Sequence, residues 1–351
     1  TAVSSDGSAS SAESESSAVS TSDGSAATAS TVADGDSPND LLSTLDLSSL
    51  DTHFDDDDLV WDSSEEQTIT LSDDGSSSGS EAVTVDGSTV TVTAGGVYRV
   101  SGTLSDGHLV VDAPPEDETV TIILDDASIT SSSSSAITVD EADEVTLHLE
   151  DGTSNTVADG SSYEVADDAT PVAAISSASD LTIAGSGSLE VTGNANDGIS
   201  TKDGLVIASG DITVTAADDA IRGKDYISIL DGTLTITSTG DALKSDNYED
   251  EDRGWVLISG GTITIDSEDE GVDAEQAFRI DGGTLTIENS DEGIEAEDVV
   301  IAGGTVDITA ADDGINATQA TLVSGGEEAS EQEATTVRPT TAPGSTSPAA
   351  S

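Results

Sequence analysis

Residues 196–243 read NDGISTKDGLVIASGDITVTAADDAIRGKDYISILDGTLTITSTGDAL, and one phrase in them recurs further along the chain. Its second residue is always acidic, its third is small and its fourth is aliphatic. It begins at residues 196, 218, 240, 269, 291 and 312. The intervals are 22, 22, 29, 22 and 21 residues, and an insertion within residues 247–254 accounts for the long one. A fixed period of this length is typical of folds in which each repeat stacks on the next. We therefore predict an all-β chain in which each repeat is one coil of a parallel β-helix.

Each repeat divides into three short strands separated by glycine-containing corners, which predicts a three-sided coil. Successive side chains of a strand point to opposite faces, so the alternate aliphatic residues should point inward and stack in columns. The first strand contributes Ile199, Ile221, Leu243, Val272, Ile294 and Ile315. The second contributes Leu205, Ile227, Val256, Phe278 and Val299. The third, rich in threonine, contributes Ile212, Leu234, Ile263, Leu285 and Val306.

The composition is strongly acidic. The chain has 351 residues, of which 72 are acidic and 8 basic, and its formal charge is -64. This excludes a nucleic-acid-binding protein as the default, because phosphate contacts need a basic face. Two compatible explanations remain, which are adaptation to high salt and the binding of many hard cations, above all calcium. The absence of cysteine excludes disulfides and thiolate metal sites.

Composition also predicts three segments. Residues 1–40 are acidic and rich in Ser and Ala, and residues 325–351 are rich in Thr, Pro and Ser, so we expect both to be disordered. Residues 41–324 form the predicted β-helix domain, with the leucines of residues 41–50 covering its N-terminal end. No apolar run approaches the length of a membrane span. The chain begins at Thr1 without an initiator methionine, as a processed chain would, and we expect an extracellular or cell-surface location.

The recurring phrase places acidic residues in two adjacent columns. The first column holds Asp197, Asp219, Asp241, Glu270, Glu292 and Asp313, and the second holds Asp218, Asp269, Asp291 and Asp312. Carboxylates on neighbouring strands repel one another, and a shared cation removes that cost. Calcium takes six to eight oxygen ligands from carboxylates and backbone carbonyls. We therefore predict several structural Ca²⁺ sites along these columns. The alternative is a solvated acidic edge in which aspartate serves to form turns.

Most of the basic residues fall in one part of the repeat region. Stacking puts Arg222 between Ser200 and Lys244 in an outward column, and alternation points two aromatic residues outward from the second strand. Cations beside aromatic rings match a site for a carboxylate-bearing polysaccharide. The predicted ligand-binding residues are Lys202, Arg222, Lys224, Tyr226, Lys244, Tyr248, Arg253 and Trp255. The alternative is that the cations only neutralise neighbouring carboxylates such as Asp203 and Asp225. We expect His53, His108 and His148 to be isolated surface residues.

Several phrases, in this order, resemble one family across residues 98–317. They are SGTL at 101–104, VVD at 110–112, DGTSNT at 151–156, LTIAGSG at 181–187, NDGI at 196–199, AIRGKD at 220–225 and SGGTI at 259–263. The chain is similar to secreted bacterial carbohydrate-binding domain-containing proteins with a right-handed parallel β-helix. The resemblance implies bound calcium, affinity for plant cell-wall or acidic polysaccharides, and no established enzymatic activity. The extreme acidity and the Thr/Pro tail depart from the family pattern.

Three functions are consistent with these observations. The first is a non-catalytic, calcium-stabilised protein that binds polysaccharide, with an anionic glycan as its partner. The second is a structural surface or matrix protein that assembles through Ca²⁺ and coil stacking. The third is a calcium-dependent polysaccharide lyase with Arg222 as the candidate base, which the lack of a compact catalytic set disfavours. We expect the first.

Overall fold

The computed structural model describes residues 50–114, 119–163 and 170–318. The predictions for residues 1–40, for the leucines before Leu50 and for residues 325–351 therefore lie outside the described part of the chain. The described residues are all-β apart from one 3₁₀ turn at Asp56–Leu59, which the Asp55 side chain caps. The prediction of an all-β chain is confirmed. No described helix has both the length and the hydrophobicity that crossing a membrane requires.

The first part of the chain contains ten strands. They are β1 (Gln67–Leu71), β2 (Ser77–Ser78), β3 (Val83–Asp86), β4 (Thr89–Val92), β5 (Gly96–Leu104), β6 (His108–Asp112), β7 (Val120–Thr130), β8 (Ile137–Glu141), β9 (Glu144–Leu149) and β10 (Ser154–Ala158). Two short antiparallel pairs stand at its start, β1 with β2 and β3 with β4. Every other strand pairing in the described residues is parallel.

The second part contains the recurring phrase. Its strands are β11 (Ala173–Ser177), β12 (Asp180–Gly185), β13 (Ser188–Gly193), β14 (Asp197–Thr201), β15 (Gly204–Ile207), β16 (Asp211–Ala216), β17 (Ile221–Gly223), β18 (Tyr226–Ile229), β19 (Thr233–Ser238), β20 (Leu243–Ser245), β21 (Trp255–Ile258), β22 (Thr262–Ser267), β23 (Val272–Ile280), β24 (Thr284–Asn289), β25 (Ile294–Ile301), β26 (Thr305–Ile308) and β27 (Asn316–Ala317). All 27 strands join one large, mostly parallel sheet.

From β11 to β19 each strand pairs with the third strand after it. The three series run β11–β14–β17–β20, β12–β15–β18–β21 and β13–β16–β19–β22. Further on, the first and second strands of a repeat merge into β23 and β25. The physical reason is local, since Gln276 stands where earlier repeats have the turn-forming Asp203 and Asp225 at this corner.

The strand registers are those that alternation predicts. Ile221 pairs with Ile199 and Leu243, and each series of inward aliphatic residues is aligned in the same way. Most of these side chains are fully buried and form one continuous core, which includes the large rings of Tyr98 and Phe278, whereas Val299 and Val306 are partly buried against it. Burying each such side chain contributes about 1.5–3 kcal/mol. Ile315 departs from the prediction, since it is 46% exposed at the last described strands, where no further strand covers it among the described residues.

A second, smaller apolar cluster lies on the outer face of the sheet. Val206, Tyr226, Trp255 and Ala277 form it, and Leu50 and Phe54 from the start of the described chain pack against it. Leu50 is the described residue of the leucine segment that was expected to cover an end of the domain. It instead contributes to a cover over the side of the second-strand series.

Candidate functional site

The predicted outward column of cations is present in the expected register. Ser200 pairs with Arg222, Arg222 with Lys244, and Lys244 with Asp273. The column continues through Glu295 to Asn316. Short strands hold these side chains on the outer face because each cation lies between two inward residues, as Arg222 lies between Ile221 and Gly223. Repetition of the strand series therefore positions the site.

The cations are paired with carboxylates of the protein. Lys244 Nζ lies 2.7 Å from Asp241 Oδ2, 3.6 Å from Asp219 Oδ2 and 3.7 Å from Asp273 Oδ2. Three further pairs are Arg222 with Asp246 (2.5 Å), Lys224 with Glu249 (3.3 Å) and Arg253 with Asp225 (3.6 Å). This is the arrangement that the neutralisation alternative describes, with Asp225 as one of the two carboxylates that it named.

The charge state of the two central cations follows from these pairs. Burial alone would lower the pKa of Lys244, but Asp241, Asp219 and Asp273 outweigh it and raise that pKa above its usual value. Burial would likewise lower the pKa of Arg222, but Asp246 outweighs this effect, so the pKa of its guanidinium is also raised. Both side chains stay protonated at any physiological pH.

The aromatic pair is in register but is not open to solvent. Tyr226 pairs with Trp255 across adjacent strands, and their rings stack at 4.6 Å with an interplanar angle of 8°. Their exposed fractions are only 3% and 1%. The expectation that these faces are free to stack on a sugar is wrong, because the segment that includes Leu50 and Phe54 covers them.

His53 fixes that segment in place. Its backbone N–H donates to the Tyr226 hydroxyl at 2.8 Å, and its ring nitrogens lie 2.7 Å from the same hydroxyl and 2.9 Å from Thr182 Oγ1. Two other histidines also have partners. His108 contacts Thr89 Oγ1 at 2.7 Å, and the His148 ring meets Trp61 edge-on at 4.8 Å. The prediction of isolated surface histidines is therefore wrong, since each packs against another part of the chain.

The remaining predicted ligand residues lie at the edges of this surface. Lys202 follows β14 directly and Tyr248 lies in the insertion between β20 and β21, and both are half-buried. The insertion is held by Asn247, which donates to Asp225 Oδ1 at 2.6 Å. Arg253 lies over the Tyr226 ring, 5.4 Å from its centroid, and so occupies part of the space near the aromatic pair.

The first acidic column is built into the backbone. Asp197, Asp219 and Asp241 are buried, at 1%, 7% and 2% exposed. The Asp241 N–H donates to Asp219 Oδ1 at 2.9 Å, and the Glu270 N–H donates to Asp241 Oδ1 at 3.0 Å. Asp219 and Asp241 thus each accept a backbone amide from the next repeat. The sequence did not predict this role, although the recurrence of an acidic residue at the second position of every phrase was a signal for it.

Burial makes this column electrostatically costly. Desolvation, followed by the charge of Asp219, raises the pKa of Asp197 to about 7. Desolvation together with Asp241 raises the pKa of Asp219 to about 6, against the opposing effect of Lys244. Desolvation and the neighbouring Asp241 and Asp269 raise the pKa of Glu270 well above its usual range. A cation beside these groups would relieve the same cost.

Two groups of carboxylates come close enough to share a metal ion. One is Asp241, Asp269 and Glu270, and the other is Glu270, Glu292 and Glu295, with ligand oxygens within 4.8 Å of one another in each group. Glu270 belongs to both. Carboxylate oxygens alone suit a hard cation such as calcium. Glu295 was not predicted as a ligand, although its place beside Glu270 and Glu292 follows from the register.

The other predicted ligands lie outside these two groups in the described part of the chain. Asp197 and Asp219 are buried in the amide-accepting column, and a larger set lies at the exposed edge. That set is Asp218, Asp291, Asp312 and Asp313. Of the predicted ligands in the described residues, those close enough together to share an ion therefore lie around Glu270.

Comparison with known proteins gives one structural neighbour and one family. No curated protein matches the chain significantly. A solved structure, described as the polysaccharide lyase-like protein from C. thermocellum in a gadolinium derivative, matches with a TM-score of 0.59 and 31% identity. The match covers 73% of this chain and 98% of that one. The profile of carbohydrate-binding domain-containing proteins matches residues 86–334, which is well over half of the sequence. The chain therefore belongs to the family of carbohydrate-binding domain-containing proteins.

Proposed function

We propose that the protein is an extracellular, non-catalytic polysaccharide-binding protein, built as a right-handed three-sided parallel β-helix and stabilised by Ca²⁺. The observation that carries the proposal is the family match over residues 86–334, which spans the whole repeat region. The cation column and the acidic groups lie within that span. An extracellular location follows from the proposed ligand, since cell-wall polysaccharides lie outside the cell.

The strand pairing supports the β-helix. Three parallel series, each pairing a strand with the third one after it, are what a three-sided coil requires. Parallel strands joined by a crossover are right-handed in nearly all proteins, because strand twist favours that hand. The registers of Arg222 with Lys244 and of Tyr226 with Trp255 fit one coil per repeat.

The carboxylate groups around Glu270 support calcium. Asp241, Asp269, Glu292 and Glu295 surround it, and burial together with the neighbouring carboxylates raises the pKa of Glu270. Calcium accepts an irregular set of six to eight oxygens, whereas magnesium demands a near-octahedral site.

The charge balance indicates how an acidic glycan would bind. Each of the paired cations named above already has a carboxylate, and the net charge of -64 repels a polyanion. A uronate can replace the more exposed carboxylates as the partner of a cation. Glu249, the partner of Lys224, is one of these, since its side chain is 44% exposed. Calcium can also bridge glycan and protein carboxylates. Binding of uronate polysaccharides should therefore need Ca²⁺.

The description of the structural neighbour as lyase-like favours a second candidate, a polysaccharide lyase. Elimination needs a base that removes a proton from carbon. Arg222 and Lys244 are poor candidates, since their pKa values are raised by Asp246 and Asp241 and both stay protonated. To act as a base near neutral pH, an arginine or a lysine needs a lowered pKa. Release of unsaturated uronates, followed by their ultraviolet absorbance, would establish the lyase instead.

Binding is tested by pull-down on polygalacturonate, alginate and cellulose, with calcium and with chelator. The proposal expects retention on at least one of these glycans and loss of uronate binding with chelator. Lys224→Ala should weaken uronate binding several-fold. Arg279→Ala is the control, because it removes a cation that pairs with Asp281, away from the repeat of Lys224, and it should not weaken binding. Absence of binding to every glycan under both conditions would refute the proposal.

A further inference from the structure

An open groove lies at the glycine corners that precede the third strands of the repeats. The cation column, in contrast, lies on the first strands. Its volume is about 470 Å³. The lining residues come from four successive repeats and are Gly185, Ser186, Ser209, Gly210, Asp211, Asp231, Gly232, Thr233, Gly261 and Thr262. None of these is among the predicted ligand-binding or metal-binding residues. The groove is thus separate from the site described above.

Close stacking of the backbone forms the floor of the groove. Gly210, Gly232 and Gly261 have φ values of +129°, +116° and +85°. A Cβ atom on Gly232 would lie 2.9 Å from the Gly210 carbonyl oxygen, and one on Gly261 would lie 2.8 Å from the Gly232 carbonyl oxygen. Side chains are therefore excluded at three successive corners, and the floor is a row of peptide groups that a ligand can approach.

Polar side chains form the walls. Thr233 and Thr262 are paired neighbours in the third-strand series, and both are exposed. Asp211 pairs with Thr233 and is also exposed, as is Asp231. A hydroxyl can donate and accept hydrogen bonds, and a carboxylate can accept two. This combination suits a ligand that carries many hydroxyl groups.

A flat row of threonines extends the groove along the exposed face of the third strands. Thr213, Thr235 and Thr264 are paired in one series, and Thr215 and Thr237 are paired beside them. The inward neighbours of these residues are buried aliphatic side chains, so the row is fixed rigidly. The four lined repeats span three strand spacings, roughly 14 Å, which is enough for an oligosaccharide rather than a single ring.

The charge of the groove selects among polysaccharides. Its described lining contains two aspartates and no lysine or arginine. Carboxylates accept hydrogen bonds from sugar hydroxyls but repel a uronate, and the net charge of -64 adds to that repulsion. The charge and hydroxyl pattern therefore fit an uncharged glycan. This is the opposite preference to that of the cation column.

We propose that this groove and the adjoining threonine row bind a neutral polysaccharide chain, independently of Ca²⁺ and of the cation column. The inference rests on the proposed polysaccharide binding and assigns it a second site and a second class of ligand. The glycan would lie across successive repeats, with its hydroxyls donating to Asp211 and Asp231. Thr233 and Thr262 would exchange hydrogen bonds with the same chain.

The test uses the full chain with insoluble cellulose and soluble mixed-linkage β-glucan as neutral probes, and polygalacturonate as the acidic probe. Thr233→Arg fills the groove and should weaken neutral-glycan binding at least tenfold. Thr305→Arg is the matched control, because Thr305 is exposed in the same column three repeats further on but does not line the groove. It should bind neutral glycan as the wild type does. Thr233→Val keeps the side-chain volume and checks the contribution of the hydroxyl alone, and far-ultraviolet circular dichroism verifies folding.

The outcomes separate this inference from the proposed function. If the wild type binds polygalacturonate in calcium but neither neutral probe, the inference fails and the proposed function stands. If Thr233→Arg binds neutral glycan as tightly as Thr305→Arg, the groove is not the site, although polysaccharide binding remains. If the wild type binds none of the three probes, both fail. Competition of polygalacturonate with the neutral probes would also overturn the inference, since it would indicate one shared site.

Discussion

At the scale of the residue, the cations of the repeat region differ in what they neutralise. Lys244 lies among three carboxylates, one of which, Asp241, is almost fully buried. Lys224 faces a single exposed partner, Glu249. The same type of residue in adjacent positions can therefore hold the fold together or remain available to a ligand. This distinction depends on depth, which the sequence does not encode directly.

Substituting these two lysines by methionine should separate the roles. Lys244→Met leaves Asp241 and its neighbours without a cation, so we expect a loss of roughly 2–3 kcal/mol in the free energy of unfolding. Lys224→Met removes the same charge from a solvated pair and should cost less than about 1 kcal/mol. Urea unfolding at a fixed ionic strength measures both. Equal losses in the two variants would contradict the distinction.

His148 should give the protein a specific dependence on pH. Burial lowers the pKa of this imidazole, and Arg99 nearby lowers it further, against the opposing effect of Glu150 and Glu66. The unfolded imidazole binds a proton near pH 6.5 whereas the folded one resists it. The contribution is therefore complete above the unfolded pKa and is lost as pH falls through and below about 6.5.

The comparison is with His148→Gln. Between about pH 7 and pH 5 the wild type should lose stability relative to this variant, by at most about 1.4 kcal/mol per pH unit. Above about pH 7 the difference in the free energy of unfolding should be constant. Denaturant unfolding across this pH range measures the difference. A difference that does not vary with pH would show that the two states bind protons equally at this position.

At the scale of the element, the segment that includes Leu50, His53 and Phe54 turns an outward aromatic pair into a second core. Alternation along β18 and β21 correctly predicts that Tyr226 and Trp255 point away from the interior. It does not predict the cover, because His53 and Tyr226 are separated by 173 residues in sequence. Local periodicity carries no information about so distant a contact.

Trp255 reports on this cover. In a Trp61→Phe background, which leaves Trp255 as the one tryptophan of the chain, Phe54→Ala should shift the emission to longer wavelength as water reaches the indole. A loss of roughly 1–3 kcal/mol in stability should accompany the shift. Val60→Ala is the control in the same segment, because Val60 is 75% exposed. Unchanged emission after Phe54→Ala would mean that the segment does not shield the ring.

Sequence periodicity predicted the strand series and their registers well, because each depends on alternation and on regular spacing. The alignment of Ser200, Arg222 and Lys244 is one example. It was less informative where the period breaks. The merging of two strands in β23 arises where a corner is missing and neighbouring repeats shift by a residue.

At the scale of the whole molecule, the charge of -64 raises the question of which cations compensate it. High salt screens all carboxylates alike, whereas a bound divalent ion acts at a few of them. The sequence predicted both possibilities and could not separate them. The two carboxylate groups that share Glu270 allow salt screening to be distinguished from calcium binding, because a change to this one side chain affects both groups.

Melting curves in CaCl₂, in NaCl of equal ionic strength and in chelator should show this difference. Calcium at about 100 times its dissociation constant should add about 2.7 kcal/mol per site, and NaCl should give only the smaller screening effect. Glu270→Gln should abolish most of the calcium-specific rise while leaving the response to NaCl. Equal shifts of the melting temperature in the two salts would show that the acidic columns bind no specific calcium.

The two ends of the described sheet are not equivalent. At one end the antiparallel strands β2 and β3 lie beyond β1 and β4. At the other, β26 has no further strand beyond it in the described residues, and Ile301 and Ile315 are 50% and 46% exposed. An exposed strand edge can pair with an added strand, and very short edge strands such as β2 limit such pairing. We therefore expect any association through the sheet edges of the described residues to use the β26 end, which would join two copies rather than propagate into a fibre.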